Sequence, residues 1–147
     1  MTRTRSEERL RALSDILCDG LMYSWFRVEE LDADHCTAVL LVNTGDEEPD
    51  TGREVWRRVT VGPDDVARGL RMYREWLEGK RETYPGEWKA RAEGNTFCRA
   101  EGERAPENHY GWQLVKFDRT NGREGDYDAT TADCAMQLAT LGYIIFG

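Results

Sequence analysis

Apolar and polar positions alternate along this chain with two different periods, and the changes of period mark its elements. Leu10, Leu13 and Leu17 fall at i, i+3, i+7 with Ile16 beside them, which predicts a helix from Ser6 to Asp19. Ser6 is placed to cap it, Glu7 and Glu8 suit its positive end, and Gly20 sits at its stop. Met22 to Glu29 and Thr37 to Val42 read as two strands joined by the acidic link 30–35, an antiparallel hairpin. Val39 to Val42 is apolar on both faces, which predicts a central strand. Asn43 to Gly52 has the composition of a loop.

Glu54 to Val61 predicts a third strand, with Val55, Arg57, Val59 and Val61 on one face and Trp56, Arg58 and Thr60 on the other. Pro63, Asp64 and Asp65 then open a helix. Its Val66, Leu70, Tyr73 and Leu77 step by 4, 3 and 4 along one face, and Gly79 ends it. Residues 80–108 carry no clear period, apart from a turn at Tyr84-Pro85-Gly86 and a short helical stretch over 87–93. His109 to Asp118 reads as a strand, with Trp112 and Leu114 on one side and Val115 and Phe117 on the other. Asp128 caps a helix running to Leu141 and stopped at Gly142. Its small residues Ala129, Ala132, Ala135 and Ala139 allow another element to approach closely. Tyr143 to Gly147 reads as an apolar strand, buried in the sheet or in a partner. The order predicts a single α+β domain over residues 1–147. Its sheet is mixed or largely antiparallel, with about five strands and three or four helices mainly on one face.

Charge narrows the choice of partners. The chain has 147 residues, 20 Lys plus Arg against 28 Asp plus Glu, and a formal net charge of −8. That balance argues against a general binder of nucleic acid or anionic membrane. The charge is uneven: residues 1–52 carry net −7, residues 53–91 net +3, and residues 92–147 net −4. No stretch reaches the roughly 20 apolar residues of a membrane span. The polar start lacks the apolar core of a secretory signal, and Cys18, Cys36, Cys98 and Cys134 form no CxxC pair. The expectation is a cytoplasmic protein with reduced, mostly buried thiols.

The run from Gly125 to Gly147, with its Asp128-Ala129-x-x-Ala132-Asp133 helix and apolar end, resembles the closing segment of small proteins encoded by phages of actinobacteria. Leu13-Ser14-Asp15-Ile16-Leu17-Cys18 followed by Tyr23-Ser24-Trp25, and Val61 to Leu70, are similar to that group too. The resemblance implies a phage origin and an infected host cell as the setting. It implies no reaction and assigns no catalytic residue.

Candidate chemistry is sparse. GxSxG, HExxH, GxxxxGK[ST] and GxGxxG are all missing from the sequence. Asp128 and Asp133 could form a carboxylate pair, but a cap and an early-turn acid explain them as well. Adjacent His35 and Cys36 on a strand would point to opposite faces, which separates a thiol from its base. A nucleophile pair at His109 would need the fold to gather it with Cys98 or Asp128. The acidic loop Asp46 to Asp50 could present phosphate-like charges to a basic host protein, although a solvated loop accounts for it too.

The basic middle is the richest segment. Its arginines and lysines alternate with aromatics, and Trp56, Arg68, Arg71, Arg74, Trp76, Tyr84 and Trp88 are the candidate binding residues. The leading expectation is non-catalytic binding to a host or phage protein, in a host-takeover or anti-defence role, with no cofactor and no metal. A nucleic-acid or nucleotide binder acting through residues 53–91 is the alternative. A small hydrolase stands third. A second copy of the chain is a further candidate partner.

Overall fold

The computed structural model describes residues 5–82 and 102–146. It is an α+β fold. The described elements are α1 (Glu7–Asp19), β1 (Phe26–Asp32), β2 (Thr37–Glu47), β3 (Glu54–Val61), α2 (Pro63–Leu77), α3 (Gly111–Arg119) and α4 (Ala129–Leu141).

The strands form an antiparallel sheet in the order β1-β2-β3, so the doubly apolar strand is the central one. Phe26 lies opposite Val42 and Val28 opposite Leu40. On the other side Leu40 pairs with Val59 and Ala38 with Val61. Residues directly opposite share a face. One face therefore gathers Phe26, Ala38, Leu40, Val42 and Val61, which are the buried apolar residues of the sheet, and it packs into the same core as the helices. That core includes Leu13, Ile16 and Leu17 from α1, Leu70, Tyr73 and Leu77 from α2, and Leu114 from α3. Each fully buried Leu contributes about 1.5–3 kcal/mol relative to an exposed one.

The helix boundaries follow local chemistry. The Ser6 hydroxyl accepts from the Arg9 N–H at 3.0 Å, which starts α1. The Asp65 carboxylate accepts from the Gly62 N–H at 2.8 Å at the start of α2. At α4 the Asp128 carboxylate accepts from the Thr131 N–H at 2.8 Å, and the Thr131 hydroxyl lies 3.1 Å from the Asp128 N–H, a reciprocal cap. The small residues of α4 admit α2. A Cβ on Gly69 would overlap the Ala135 carbonyl oxygen and stand 2.8 Å from the Ala139 Cβ.

Several sequence expectations are corrected. Residues His109 to Asp118 are not a strand. Gly111, Leu114 and Val115 are buried at i, i+3, i+4, so the segment is the helix α3, and the alternation of aromatics was a by-product of that spacing. Residues 143–146 form no strand either. They run beside α4 and are held by a side chain, described below. The described sheet thus has three strands instead of about five. β1 begins at Phe26 rather than Met22, because Tyr23 to Phe26 makes a turn closed by the Phe26 N–H on the Tyr23 carbonyl at 3.1 Å. β2 continues to Glu47, through residues whose composition suggested a loop. The short helix expected over 87–93 lies outside the described residues.

Candidate functional site

The face of the sheet turned away from the helices carries the most distinctive group of side chains. Alternation and register place Arg27, Val39, Leu41, Trp56, Arg58 and Thr60 on it: Arg27 faces Leu41, Leu41 faces Arg58, and Val39 faces Thr60. A register shift between Val28 and Glu30 inserts Glu29 as an extra residue in β1. The Arg58 guanidinium donates to the Glu29 carboxylate at 2.8 Å on this same side. The Arg27 guanidinium carbon sits 4.1 Å from the centre of the Trp56 ring, a cation–π contact. Val39, Leu41 and Trp56 are half-buried, whereas Arg27, Glu30, Arg58 and Thr60 are exposed. The result is an apolar centre with a charged rim.

Of the seven candidate residues, the described structure brings only some together. Trp56 lies on the outer sheet face. Arg68, Arg71 and Arg74 lie on α2, which packs against the opposite face. Each has a carboxylate neighbour. Arg68 reaches Asp65 at 3.0 Å and also donates to the Ala139 carbonyl at 2.7 Å, near the negative end of α4. Arg71 stands 3.8 Å from Glu75, and Arg74 3.6 Å from Glu78. Glu75 also receives Arg81 at 2.7 Å. The basic stripe seen in the sequence is thus largely neutralised within and beside its own helix. Trp76 is half-buried, as Trp56 is. It stacks on Tyr73 at 5.6 Å and meets the His109 ring edge-on at 6.2 Å, packed against the core. Tyr84 and Trp88 lie outside the described residues.

Arg27 was not visible as a partner of Trp56 in the sequence. They belong to different strands, and only the hairpin register, with β1 starting at Phe26, puts them in contact.

The remaining candidates are dispersed. Cys36 does not sit on a strand beside His35. It closes the β1–β2 turn with a positive φ of 54° and a buried side chain. His35 is exposed and bonds Asp32 at 2.7 Å. Burial, with a smaller push from Cys18, raises the Cys36 thiol to about 11, and burial raises Cys134 to about 12. Both stay protonated near neutrality, which is the wrong state for a nucleophile. Among the described residues no three His, Cys, Asp or Glu side chains are grouped so as to hold a metal ion.

Asp128 and Asp133 do not converge. Asp128 is the α4 cap. Asp133 turns inward and is 2% exposed. It accepts from the Trp25 indole N–H at 2.6 Å and from the Gln137 amide at 2.8 Å. Burial pushes its carboxyl up to about 6, against the two hydrogen bonds, which act to lower it. An acid read from the sequence as an early-turn residue favoured by the helix dipole is thus the centre of a buried polar cluster. A strand-type alternation around Trp25 gave no hint of it.

Among the described residues no helix is long and apolar enough to cross a membrane. Comparison with protein-family models, with curated proteins and with solved structures finds no match to this chain.

Proposed function

We propose that this chain acts by non-catalytic binding to another protein and that the outer face of its sheet is the contact surface. The observation that carries the reading is Trp56 lying half-buried under the Arg27 guanidinium at 4.1 Å, with Leu41 and Val39 beside it. A tryptophan at the centre of an apolar patch is among the residue types that most often dominate protein–protein affinity, and the arginine stacked on it belongs, with the other charged groups, to a rim that suits the wet edge of a contact. The resemblance of residues 125–147 to proteins of actinobacterial phages supports placing the chain in an infected cell. Its partner is then a host or phage protein, and interference with a host defence is the role that fits.

The nucleic-acid alternative has less support. The α2 arginines that suggested it have carboxylates 3.0 to 3.8 Å away. Glu29 and Glu30 stand on the outer sheet beside Arg27 and Arg58, so that surface has no net positive field to draw in a phosphate backbone.

The test is capture from a host lysate with the wild-type chain, Trp56→Ala and the double variant Arg71→Ala/Arg74→Ala. Any captured protein is then purified and its complex re-formed from the two components. The reading expects one protein to bind wild type and the α2 double variant equally and to be lost with Trp56→Ala. Equal binding by all three forms, or salt-sensitive binding to single-stranded nucleic acid instead, would contradict it.

A further inference from the structure

The sheet has two outer strands, and their free edges differ. β1 carries the extra residue Glu29 and, beside it, Glu30 and Asp32, so a bulge and a run of carboxylates blunt that edge. β3 has neither device. Its register with β2 runs unbroken from Trp56 opposite Asn43 to Val61 opposite Ala38, and the strand holds no proline.

The direction of the backbone groups on β3 follows from the ladder. The Asn43 N–H donates to the Trp25 carbonyl at 2.9 Å, so on β2 the groups of Asn43 and Leu41 point toward β1 and those of Leu40 and Val42 toward β3. Val42 lies opposite Arg57 and Leu40 opposite Val59, so Arg57 and Val59 turn their backbone groups to β2. The N–H and C=O groups of Glu54, Trp56, Arg58 and Thr60 therefore point away from the sheet. No other backbone group among the described residues meets them. The side chains along this edge are incompletely covered too. Val55 and Val59 face the helix side and Trp56 the outer side, and all three are only half-buried.

We propose that β3 pairs antiparallel with β3 of a second copy of this chain, about a two-fold axis at Arg57, to make one continuous sheet. In that register the outward-pointing residues meet one another, Trp56 opposite Arg58 of the second copy and Glu54 opposite Thr60, as a hydrogen-bonded ladder needs. Val55 then lies opposite Val59, so each half-buried valine gains an apolar neighbour. Arg58 keeps its guanidinium on Glu29 at 2.8 Å and lays its aliphatic stem along the second copy's Trp56. An axis one residue on, at Arg58, would satisfy the backbone equally, but it sets Arg58 against itself and leaves Trp56 facing a threonine. Arg57 meets its own copy at the proposed axis. It is exposed, on the helix side, and shares a groove with Asp46, which offsets the like charges. The same pairing through β1 would bring Glu29, Glu30 and Asp32 of both copies together. Because the axis is normal to the sheet, both outer faces lie on one side. Trp56 with Arg27 is then presented twice on a single surface, whatever binds there.

The test is sedimentation of the full chain from about 1 to about 200 μM, with cysteine cross-linking to fix the register. Wild type should pass from the 16.9 kDa monomer to a dimer over that range. Thr60→Pro removes an outward donor and no bond to β2, so it should weaken the dimer at least about tenfold with circular dichroism unchanged. Arg57→Cys puts two thiols at the axis, where opposed Cα atoms of a non-hydrogen-bonded pair stand about 4.5 Å apart, within disulfide reach. Mild oxidation should link that variant covalently and leave Val59→Cys and wild type unlinked. If Thr60→Pro does not fold, the two cysteine variants decide. A monomer throughout, a dimer indifferent to Thr60→Pro, or equal linking of Arg57→Cys and Val59→Cys would overturn the pairing. A monomer whose captured partner is still lost with Trp56→Ala would remove the dimer and leave the outer-face reading standing. A dimer that captures nothing would do the reverse.

Discussion

Trp25 and Asp133 lie 108 positions apart, and the indole N–H of the first donates to the carboxylate of the second at 2.6 Å. That one bond joins the entry to β1 with the middle of α4. Through Gln137 it extends to residues 145–146, so the entry to β1, the middle of α4 and the stretch just after α4 meet at a single buried acid.

Asp133 should make global stability fall with rising pH. Its carboxyl is raised to about 6, above its ordinary value of 3.8, so the folded chain binds this proton more tightly than the unfolded chain does. Its contribution is complete below about pH 4 and is lost as pH rises through about 6. The loss is on the order of 3 kcal/mol. Urea denaturation of wild type and Asp133→Asn across this range measures it, as the part of the pH slope that the variant lacks.

Gln137→Ala should cost about 2–4 kcal/mol. The substitution leaves the Ile145 and Phe146 N–H groups without their acceptor and removes one donor from Asp133. Gln137→Glu keeps the acceptor and loses the donor to both Phe146 O and Asp133. It should therefore recover only part of the loss near pH 7, where two carboxylates would face each other. Chemical denaturation of the two variants side by side gives both numbers.

Much of this architecture could be read in the sequence. Ser6, Pro63, Asp128 and Gly142 mark helix ends because a cap is a local matter of one side chain and one or two backbone groups. Val39 to Val42 revealed the central strand because both of its faces are covered. What failed was long-range. Trp112, Leu114, Val115 and Phe117 satisfy two periods over so few residues, and only burial of Gly111, close to Tyr73 and Leu77 of α2, together with Leu114 and Val115 selects the helix. Residues 143–146 are apolar enough for a strand, yet Gln137 takes the place of the neighbouring strand. Trp56 was legible as a candidate and its partner Arg27 was not, because the pairing depends on hairpin register.

Gly69→Ala should destabilise the fold by about 1–3 kcal/mol. The added methyl meets the backbone of α4 at Ala135 and the Ala139 Cβ at 2.8 Å, and backbone cannot turn aside as a flexible side chain could. Ala139→Gly in the same chain should restore part of the loss by clearing one of the two contacts. Thermal unfolding of the single and double variants reports the coupling.

The buried Cys36 thiol and the half-buried Cys134 thiol should resist alkylation. With Cys36 raised to about 11 and Cys134 to about 12, the thiolate is a minor species of either near pH 7.5. Iodoacetamide on the native chain, read by peptide mass spectrometry, should leave both unmodified until denaturant is added. Prompt labelling of Cys36 would show that the β1–β2 turn opens far more often than its burial implies.

The binding reading rests on the outer sheet face, and the affinity of the reconstituted complex tests it most directly. Isothermal titration of the captured partner should show Trp56→Ala weakening the complex by at least about thirtyfold, or about 2 kcal/mol, with Arg71→Ala/Arg74→Ala within about twofold of wild type. Unchanged affinity for Trp56→Ala, with the loss falling instead on the α2 double variant, would place the contact on the other side of the molecule and contradict the account.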